Sequence, residues 1–502
     1  MPNAYTFAFL LLPAVLHAGA AIAAGRGTRD AAWQRAEFAA AASASSGAIL
    51  LALLLTDGPA VTGGLRLDGP GAVVLLLVGF VGWVIVRFSH RYLQGEAGER
   101  RYLAMMSATL AAVSLVLVAD HLLLLAAAWI ATSLTLHRLL RFYAERPAAR
   151  MTAHKKFLAG RIADASLLGA IALLGSAYGT MSLNAMLDAA TKQGVPPLAQ
   201  AGLVLLVLTA LLKCAQMPLH GWLIQVMEAP TPVSALLHAG VVNLGGFVLI
   251  RFSPMLAEAM VAQLLLAAVA TATVVMATLV MGTRISVKVM LAWSTLAQMG
   301  FMLLQVALGL PAMALLHLVA HSLYKAHAFL SAGGVAQRRQ ALRLGAPALP
   351  PSAARWTLAA LAAIAAVVGA GVATASLPTP AAALAGAVLA TSLAPLLAVG
   401  RLALAAGVAA GWLAGHALAA TVVNPVAAAP AGLVLAVGIA LAALFLLQAL
   451  IALRPAAAWV RRLHPWAYGG FHLDERVSHW LFAVWPIPQA PPSSSATDGA
   501  RA

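Results

Sequence analysis

His317, His321 and Lys325 recur at a spacing of four in an otherwise apolar stretch. On a helix that spacing sets them along one face, in a row about 12 Å long at a rise of about 1.5 Å per residue. Histidine titrates near neutrality, and desolvation pulls a lysine down towards it. With bridging water, such a row can relay protons. It does not read as a metal site, because carboxylates are lacking nearby and lysine is a poor ligand. His327 is off the line. Lys213 is a second ionisable group within an apolar run. Pro218, five residues on, removes a backbone donor and disfavours helix before it. The expectation is a broken helix beside Lys213, and broken helices at the midplane are where transporters place ion sites. The alternative is a lysine that snorkels to the interface. His220 and Glu228 flank the second half of this helix. Glu228 is either a solvated loop acid or the partner of a nearby lysine. It leads into Ala229-Pro230-Thr231-Pro232, a rigid turn after which Thr231 or Ser234 could cap the next helix. His238 follows, as a path residue or a structural histidine. Lys288 opens a later helix, as a path residue or a cytoplasmic anchor.

The elements that must position these groups are membrane helices. Of 502 residues, 62% are hydrophobic and 9% charged, against about 45–50% and about 25% in soluble domains. The apolar runs are long and unbroken, which argues against a transmembrane β-barrel. The predicted class is all-α, a polytopic transmembrane helical bundle of about fifteen spans. They begin near residues 4, 38, 71, 102, 121, 162, 201, 233, 260, 287, 312, 356, 380, 402 and 430. Twenty-six of the 31 basic residues fall after odd-numbered spans. Only Arg66, Lys192 and Arg251 follow even-numbered ones, and Lys213 and Lys325 lie within spans. By the positive-inside rule the N-terminus is outside and the C-terminus cytoplasmic, in the cell (inner) membrane. The net charge of +16 is thus spread over short loops, and nucleic acid is not an expected partner. The first span is read as retained rather than as a signal peptide, since Arg26 and Arg29 follow it. The Ala-rich stretch 356–450 reads as closely packed helices, and Gly245-Gly246 and Gly333-Gly334 as close helix contacts.

The division expected is a transmembrane domain over 1–453, an interfacial segment over 454–489 and a disordered tail over 490–502. An ionisable group at bilayer depth costs about 2.5–3.5 kcal/mol on insertion scales, so Lys213 and Lys325 argue against an inert anchor. A lone cysteine, Cys214, excludes a cysteine-based metal site. No phosphate loop or nucleophile elbow occurs. The reading is a transporter subunit, not an enzyme, without cofactor or metal.

The run from Lys213 through Pro218, His220-Gly-Trp-Leu and Glu228-Ala-Pro-Thr-Pro-Val-Ser-Ala-Leu-Leu-His238 resembles the signature of antiporter-like membrane subunits. These are the L, M and N subunits of NADH–quinone oxidoreductase and the large Mrp subunits. Lys288 to Met302 and His317 to Gly334 resemble two further blocks. The resemblance covers most of residues 100–335. It implies inverted repeats of five helices (core about 100–400), a broken seventh helix, and a proton path through Lys213, His238, His317, His321 and Lys325. Two features depart from it. The glutamate usual in span five is missing, Trp129 being followed by Ile130, and the nearest acid is Asp120. The ionisable residue usual in the twelfth helix is missing from 356–377. A chain ending soon after span fifteen also leaves no room for the lateral helix of the L subunit.

The wording of Gly221 to Gly240 looks most like the membrane subunit of DAB-type inorganic carbon pumps. That resemblance implies cation conduction, of H⁺ or Na⁺, coupled to a large cytoplasmic zinc protein (DabA type) resembling a β-carbonic anhydrase. A proton-translocating subunit of a complex I-like enzyme and an Mrp-type Na⁺/H⁺ antiporter subunit remain as alternatives. Residues 454–486, with basic loops that include Arg146, Arg150, Lys155 and Lys156, are the expected docking platform for the soluble partner.

Overall fold

The computed structural model describes residues 4–334, 352–373 and 379–486. The tail 490–502 and Arg338, Arg339 and Arg343 lie outside them. Apart from one small hairpin, β1 (Ala60–Thr62) and β2 (Leu65–Leu67), the described chain is helical. Helices α1 (Ala4–Ala23), α2 (Arg29–Asp57), α3 (Gly69–Tyr92), α4 (Glu99–Val118) and α5 (Leu122–Leu140) are each long enough to cross a bilayer. So are α6 (Pro147–Tyr178), the α10–α11 pair (Thr231–Ala239 and Leu244–Arg251), α13 (Met260–Met281) and α14 (Val287–Ala307). Between them come the short α7 (Leu183–Gln193), α8 (Pro197–Lys213), α9 (Gly221–Ile224) and α12 (Ser253–Leu256). Then follow α15 (Pro311–Leu330), α16 (Ala353–Ala373), α17 (Pro380–Ala398), α18 (Leu402–Val422) and α19 (Ala431–Leu453). Two shorter helices close the chain, α20 (Ala458–Tyr468) and α21 (Leu473–Val484).

The protein is a multi-pass helical membrane protein. A helix lies at each of the fifteen predicted positions, but twelve among the described residues meet the length and apolarity of a span. The other three are α8, cut short at its break, α15, diluted by its histidines and lysine, and α16. The count of fifteen is therefore not established by these criteria.

Local signals set the helix ends. Thr28 caps α2 on Ala31 N, Asp68 caps α3 on Gly71 N at 2.8 Å, and Ser182 caps α7 on Ala185 N, each supplying an acceptor to an orphan amide. Asp120, the acid nearest the missing one of span five, serves this end as well. It accepts from Ser182 Oγ at 2.5 Å and Asn184 N at 2.9 Å, so it tethers α7.

Small residues set the approach of helices only in places. A Cβ at Gly245 would strike Cys214 Sγ at 2.5 Å, which locks α11 against the end of α8. Gly333 and Gly334 have nothing within 4 Å, so that pair makes no close contact. In the Ala-rich region α16 packs on α17, whereas α18 and α19 turn most of their surface outward. Such faces suit lipid, since tails are as apolar as leucine.

Arg251, one of the three basic residues outside the basic loops, is buried at the end of α11. It donates to Asp68 through Nε at 2.9 Å and Nη2 at 3.1 Å, and to the Ala119 carbonyl at 2.8 Å. Arg66 approaches the same carboxylate at 3.0 Å. The cluster staples α11, the hairpin and the ends of α3 and α4. Removing one partner of a buried pair strands the other. Asp68→Ala is expected to lower stability by about 3–5 kcal/mol. Thermal unfolding in detergent would read this, and an unchanged midpoint would refute the staple.

Candidate functional site: two buried charge clusters joined through a kinked helix

Helix α8 stops at Lys213, and helix resumes only at Gly221. Ala215, between them, is left-handed at φ 55°. The Lys213 side chain, 8% exposed, lies at this end. Its Nζ donates to Asp164 Oδ1 at 2.7 Å and to the Trp129 carbonyl at 3.4 Å, and lies 5.0 Å from the centre of the Trp129 ring. Asp164 Oδ2 is 2.5 Å from Arg161 Nη2. The acid facing Lys213 thus comes from α6, and α5 offers an indole and a carbonyl instead.

Asp164 was not among the residues singled out in the sequence. The signal was there: an acid three residues after Arg161, at the edge of an apolar run. Helix α6 is also longer than the span predicted from residue 162, and it carries Lys155 and Lys156 into the protein. Both are buried, with 5% and 6% of their surface exposed, so neither belongs to an open docking loop. Lys156 donates to the carbonyl and to the hydroxyl of Ser133, the latter at 2.9 Å. Lys156 and Lys213 line one cavity of about 30 Å³, with Trp129, Ser133, Trp222 and Val241. That volume holds about one water.

The second cluster is on α15. Lys325 is fully buried and donates to the Leu291 carbonyl of α14 at 3.0 Å. The His317 and His321 rings lie 6.2 Å apart, edge to face. His317 Nδ1 meets Gln305 Oε1 at 3.1 Å. Both ring nitrogens of His321 are without a partner among the described residues. So are those of His238, which is stacked on Phe329 at 4.4 Å. His327 is exposed, away from the row.

A kink joins the clusters. Helix α10 ends at Ala239, a 3₁₀ turn spans Val241–Asn243, and α11 follows. Val241 lines the lysine cavity, and the Val242 carbonyl accepts from Cys214 Sγ at 3.0 Å. Asn243 Nδ2 donates to Ser322 Oγ at 2.7 Å, beside His321. His238 sits just before the kink. Beyond His317 opens a cavity of about 430 Å³ whose polar lining includes Gln298, Gln305, Thr391, Ser392 and Gln448.

Two of the residues singled out in the sequence lie apart. Glu228 is 40% exposed and 3.7 Å from Arg146, a surface pair of small energetic weight. Lys288 Nζ donates to Thr231 Oγ1 at 2.8 Å. Pro230 and Pro232 bracket that threonine at the start of α10, so Lys288 holds the turn. Pro218 lies in the gap between α8 and α9.

Residues 119–346 match the family described as NADH:quinone oxidoreductase/Mrp antiporter, TM, and residues 56–103 match the N-terminus of NADH-ubiquinone oxidoreductase (complex I) chain 5. The large-scale fold is shared with the Mrp complex from Dietzia sp., at a TM-score of 0.59 and 24% identity over 96% of this chain and 58% of that one. It is also shared with respiratory complex I from Thermus thermophilus, at 0.55 and 24% over 88% and 98%. The chain has the antiporter-like membrane fold. Among relatives, a probable inorganic carbon transporter subunit DabB from Hydrogenovibrio crunogenus is 47% identical over 299 residues, 59% of this chain and 58% of its own. A DabB2 from Halothiobacillus neapolitanus is 44% identical over 272 residues, 54% and 49%. NADH-quinone oxidoreductase subunit L from Mycobacterium tuberculosis is 33% identical over 358 residues, 66% and 55%. The chain thus spans about half the length of the curated relatives it matches. The antiporter-like resemblance, read from residues 213–238, 288–302 and 317–334, and the likeness to DabB subunits, read from residues 221–240, hold.

The geometry has a direct energetic consequence. In a cycle of Asp164→Asn and Lys213→Met, the protein should show a coupling of about 0.5–3 kcal/mol in thermal stability. Additive losses would mean that the two charges do not act as a pair.

Proposed function

We propose that this chain is the proton-conducting membrane subunit of an inorganic carbon uptake complex in the inner membrane. The observation that carries the reading is a pair of titratable clusters bridged by a kinked helix. Lys213 pairs with Asp164, Val241 and Val242 of the kink meet the Lys213 cavity and Cys214, Asn243 of the kink bonds Ser322 on α15, and that helix carries His317, His321 and Lys325, with His238 just before the kink. Lys213 can lose its proton without stranding a charge, because Asp164 keeps Arg161 as its counter-ion. The ion is H⁺ rather than Na⁺: the row offers nitrogen donors and acceptors, while sodium would want a cage of oxygens. The 47% identity with a probable inorganic carbon transporter subunit supports the transported class. The absence of an ionisable group from residues 356–377 weighs against a respiratory pumping subunit.

In this reading the basic loops are cytoplasmic, the N-terminus is outside and the C-terminus is inside. The partner is a large cytoplasmic zinc protein resembling a β-carbonic anhydrase, which carries the hydration of carbon dioxide. It docks on the outward side of residues 454–486, where Trp459, Trp466 and Trp480 are exposed. Exposed aromatics beside mixed charge are typical of interface cores with polar rims.

The test is growth in air of cells that lack their own carbonic anhydrase and express the full chain with its partner. Lys213→Ala should abolish growth while the protein still inserts, and wild-type growth of that variant would refute the reading. His317→Ala and His321→Ala should each impair uptake, with the double variant barely worse than the poorer single one, because residues acting as a unit give non-additive losses. Independent, additive effects on bicarbonate uptake would count against one relay.

A further inference from the structure

The chain's last helix reaches back to the break in α8. Asp474, in the first turn of α21, accepts from Lys155 Nζ at 2.9 Å and from Gln225 Nε2 at 3.1 Å. Ser478 Oγ lies 3.3 Å from its other oxygen. The carboxyl group packs directly on Gly221, the first residue after the break, and a Cβ there would overlap it. Glycine at 221 is what admits the carboxylate. The Asp474 side chain is 24% exposed, whereas that of Lys155 is 6% exposed. The acid therefore touches solvent on one side and buried groups on the other.

His220 lies immediately behind Gly221 and is fully buried. Its Nδ1 is 3.2 Å from the Pro218 carbonyl, and its Nε2 has no partner among the described residues. Asp474, Lys155 and Glu475 are the charges that act on it. A buried ring nitrogen left unpaired costs stability, so a use for it is called for. The chain that follows α19 closes over this histidine. The His220 ring packs on Trp293 at 5.3 Å, Arg284 stacks on Trp293 and on Tyr468, and Arg284 donates to the Tyr468 carbonyl at 2.7 Å. Asp474 is then delivered by a turn in which Gly470, Phe471 and His472 are all left-handed, at φ 62°, 57° and 55°. Two of these are not glycine, and that conformation is held only where its surroundings over-determine it.

We propose that Asp474 is the proton-loading carboxylate at the cytoplasmic mouth, passing protons to His220 and so to Lys213. The proposal rests on the proton-conducting reading above. Asp474 takes a proton from water at its exposed side and becomes a neutral acid. Through bridging water it gives that proton to Nε2 of His220, which leaves a carboxylate near an imidazolium. The imidazolium passes its proton, again through water, to the neutral amine of Lys213 and returns to imidazole.

The test uses inside-out membrane vesicles from cells expressing the full chain with its partner, an imposed membrane potential and a pH-sensitive dye. Asp474→Asn should lower proton flux by about tenfold or more, the scale of a lost positioned proton-transfer group. Asp474→Glu should retain most of the flux, and Gly221→Ala should lose it by displacing the carboxylate. Added formate should restore flux to Asp474→Asn but not to Lys213→Ala, which a merely structural acid would not allow. If Asp474→Asn conducts within about twofold of wild type where Lys213→Ala does not, Asp474 is off the path and the conduction reading stands. If flux is lost and neither the glutamate nor formate restores it, Asp474 is a strap and the proposal is wrong. If wild-type vesicles carry no proton flux, the conduction reading fails and this proposal with it.

Discussion

The arrangement depends on how a buried ammonium at residue 213 is kept tolerable. Taking two charges out of water costs several kcal/mol per ion, and only good geometry with added hydrogen bonds offsets it. Here the offset comes from three helices. Helix α6 supplies Asp164, α5 supplies the Trp129 carbonyl and ring, and α8 supplies its own broken end. Arg161 on the far oxygen makes the cluster carry one net positive charge with Lys213 protonated and none without it. Both protonation states of Lys213 are thus balanced to within one charge. A single lysine–carboxylate pair would leave the acid uncompensated at every deprotonation.

The same economy explains the kink in the α10–α11 span. An unbroken helix from Thr231 to Arg251 would satisfy its own backbone and present side chains alone. The turn at Val241–Asn243 instead frees a carbonyl for Cys214 and directs the Asn243 amide at Ser322. The polar continuity between Lys213 and α15 is therefore partly backbone. Next to it are the imidazoles of His238 and His321, whose nitrogens have no partner among the described residues. Each is costly in an apolar interior, so packing alone does not account for them.

Much of this was legible in the sequence because it is periodic or chemically loud. The spacing of His317, His321 and Lys325 fixes one helix face whatever the tertiary structure, and the structure places the two histidine rings side by side. Lys213 and Pro218 stand out as a charge and a helix breaker in an apolar run. What stayed hidden needed three-dimensional partners. Asp164 falls at the very start of the span predicted from residue 162, and only the packing of α6 on α8 makes it the acid for Lys213. Lys155 and Lys156 read as members of a basic loop, because a count of charges cannot tell that α6 starts fifteen residues earlier than its apolar stretch. The kink after Gly240 has no proline to announce it. Glu228 drew notice by its proline-rich surroundings, and its actual partner is an exposed arginine.

The departure in the later helices has a physical reading of its own. The row on α15 ends at His317, and among the described residues no charged side chain lines the space beyond it. The polar groups there are amides and hydroxyls. They can order water, yet they cannot hold a proton at neutral pH as imidazole or amine can. A cavity of about 430 Å³ has room for several waters, given a share of about 30 Å³ for each in the liquid. In a proton-conducting chain the stretch past His317 would therefore run through water rather than through residues. In such a chain a fixed charge in the twelfth helix would be dispensable, because a hydrated cavity lowers the cost of the ion without a fixed partner. That leaves α18 and α19 free of any need to bury charge, in keeping with surfaces that face outward along most of their length.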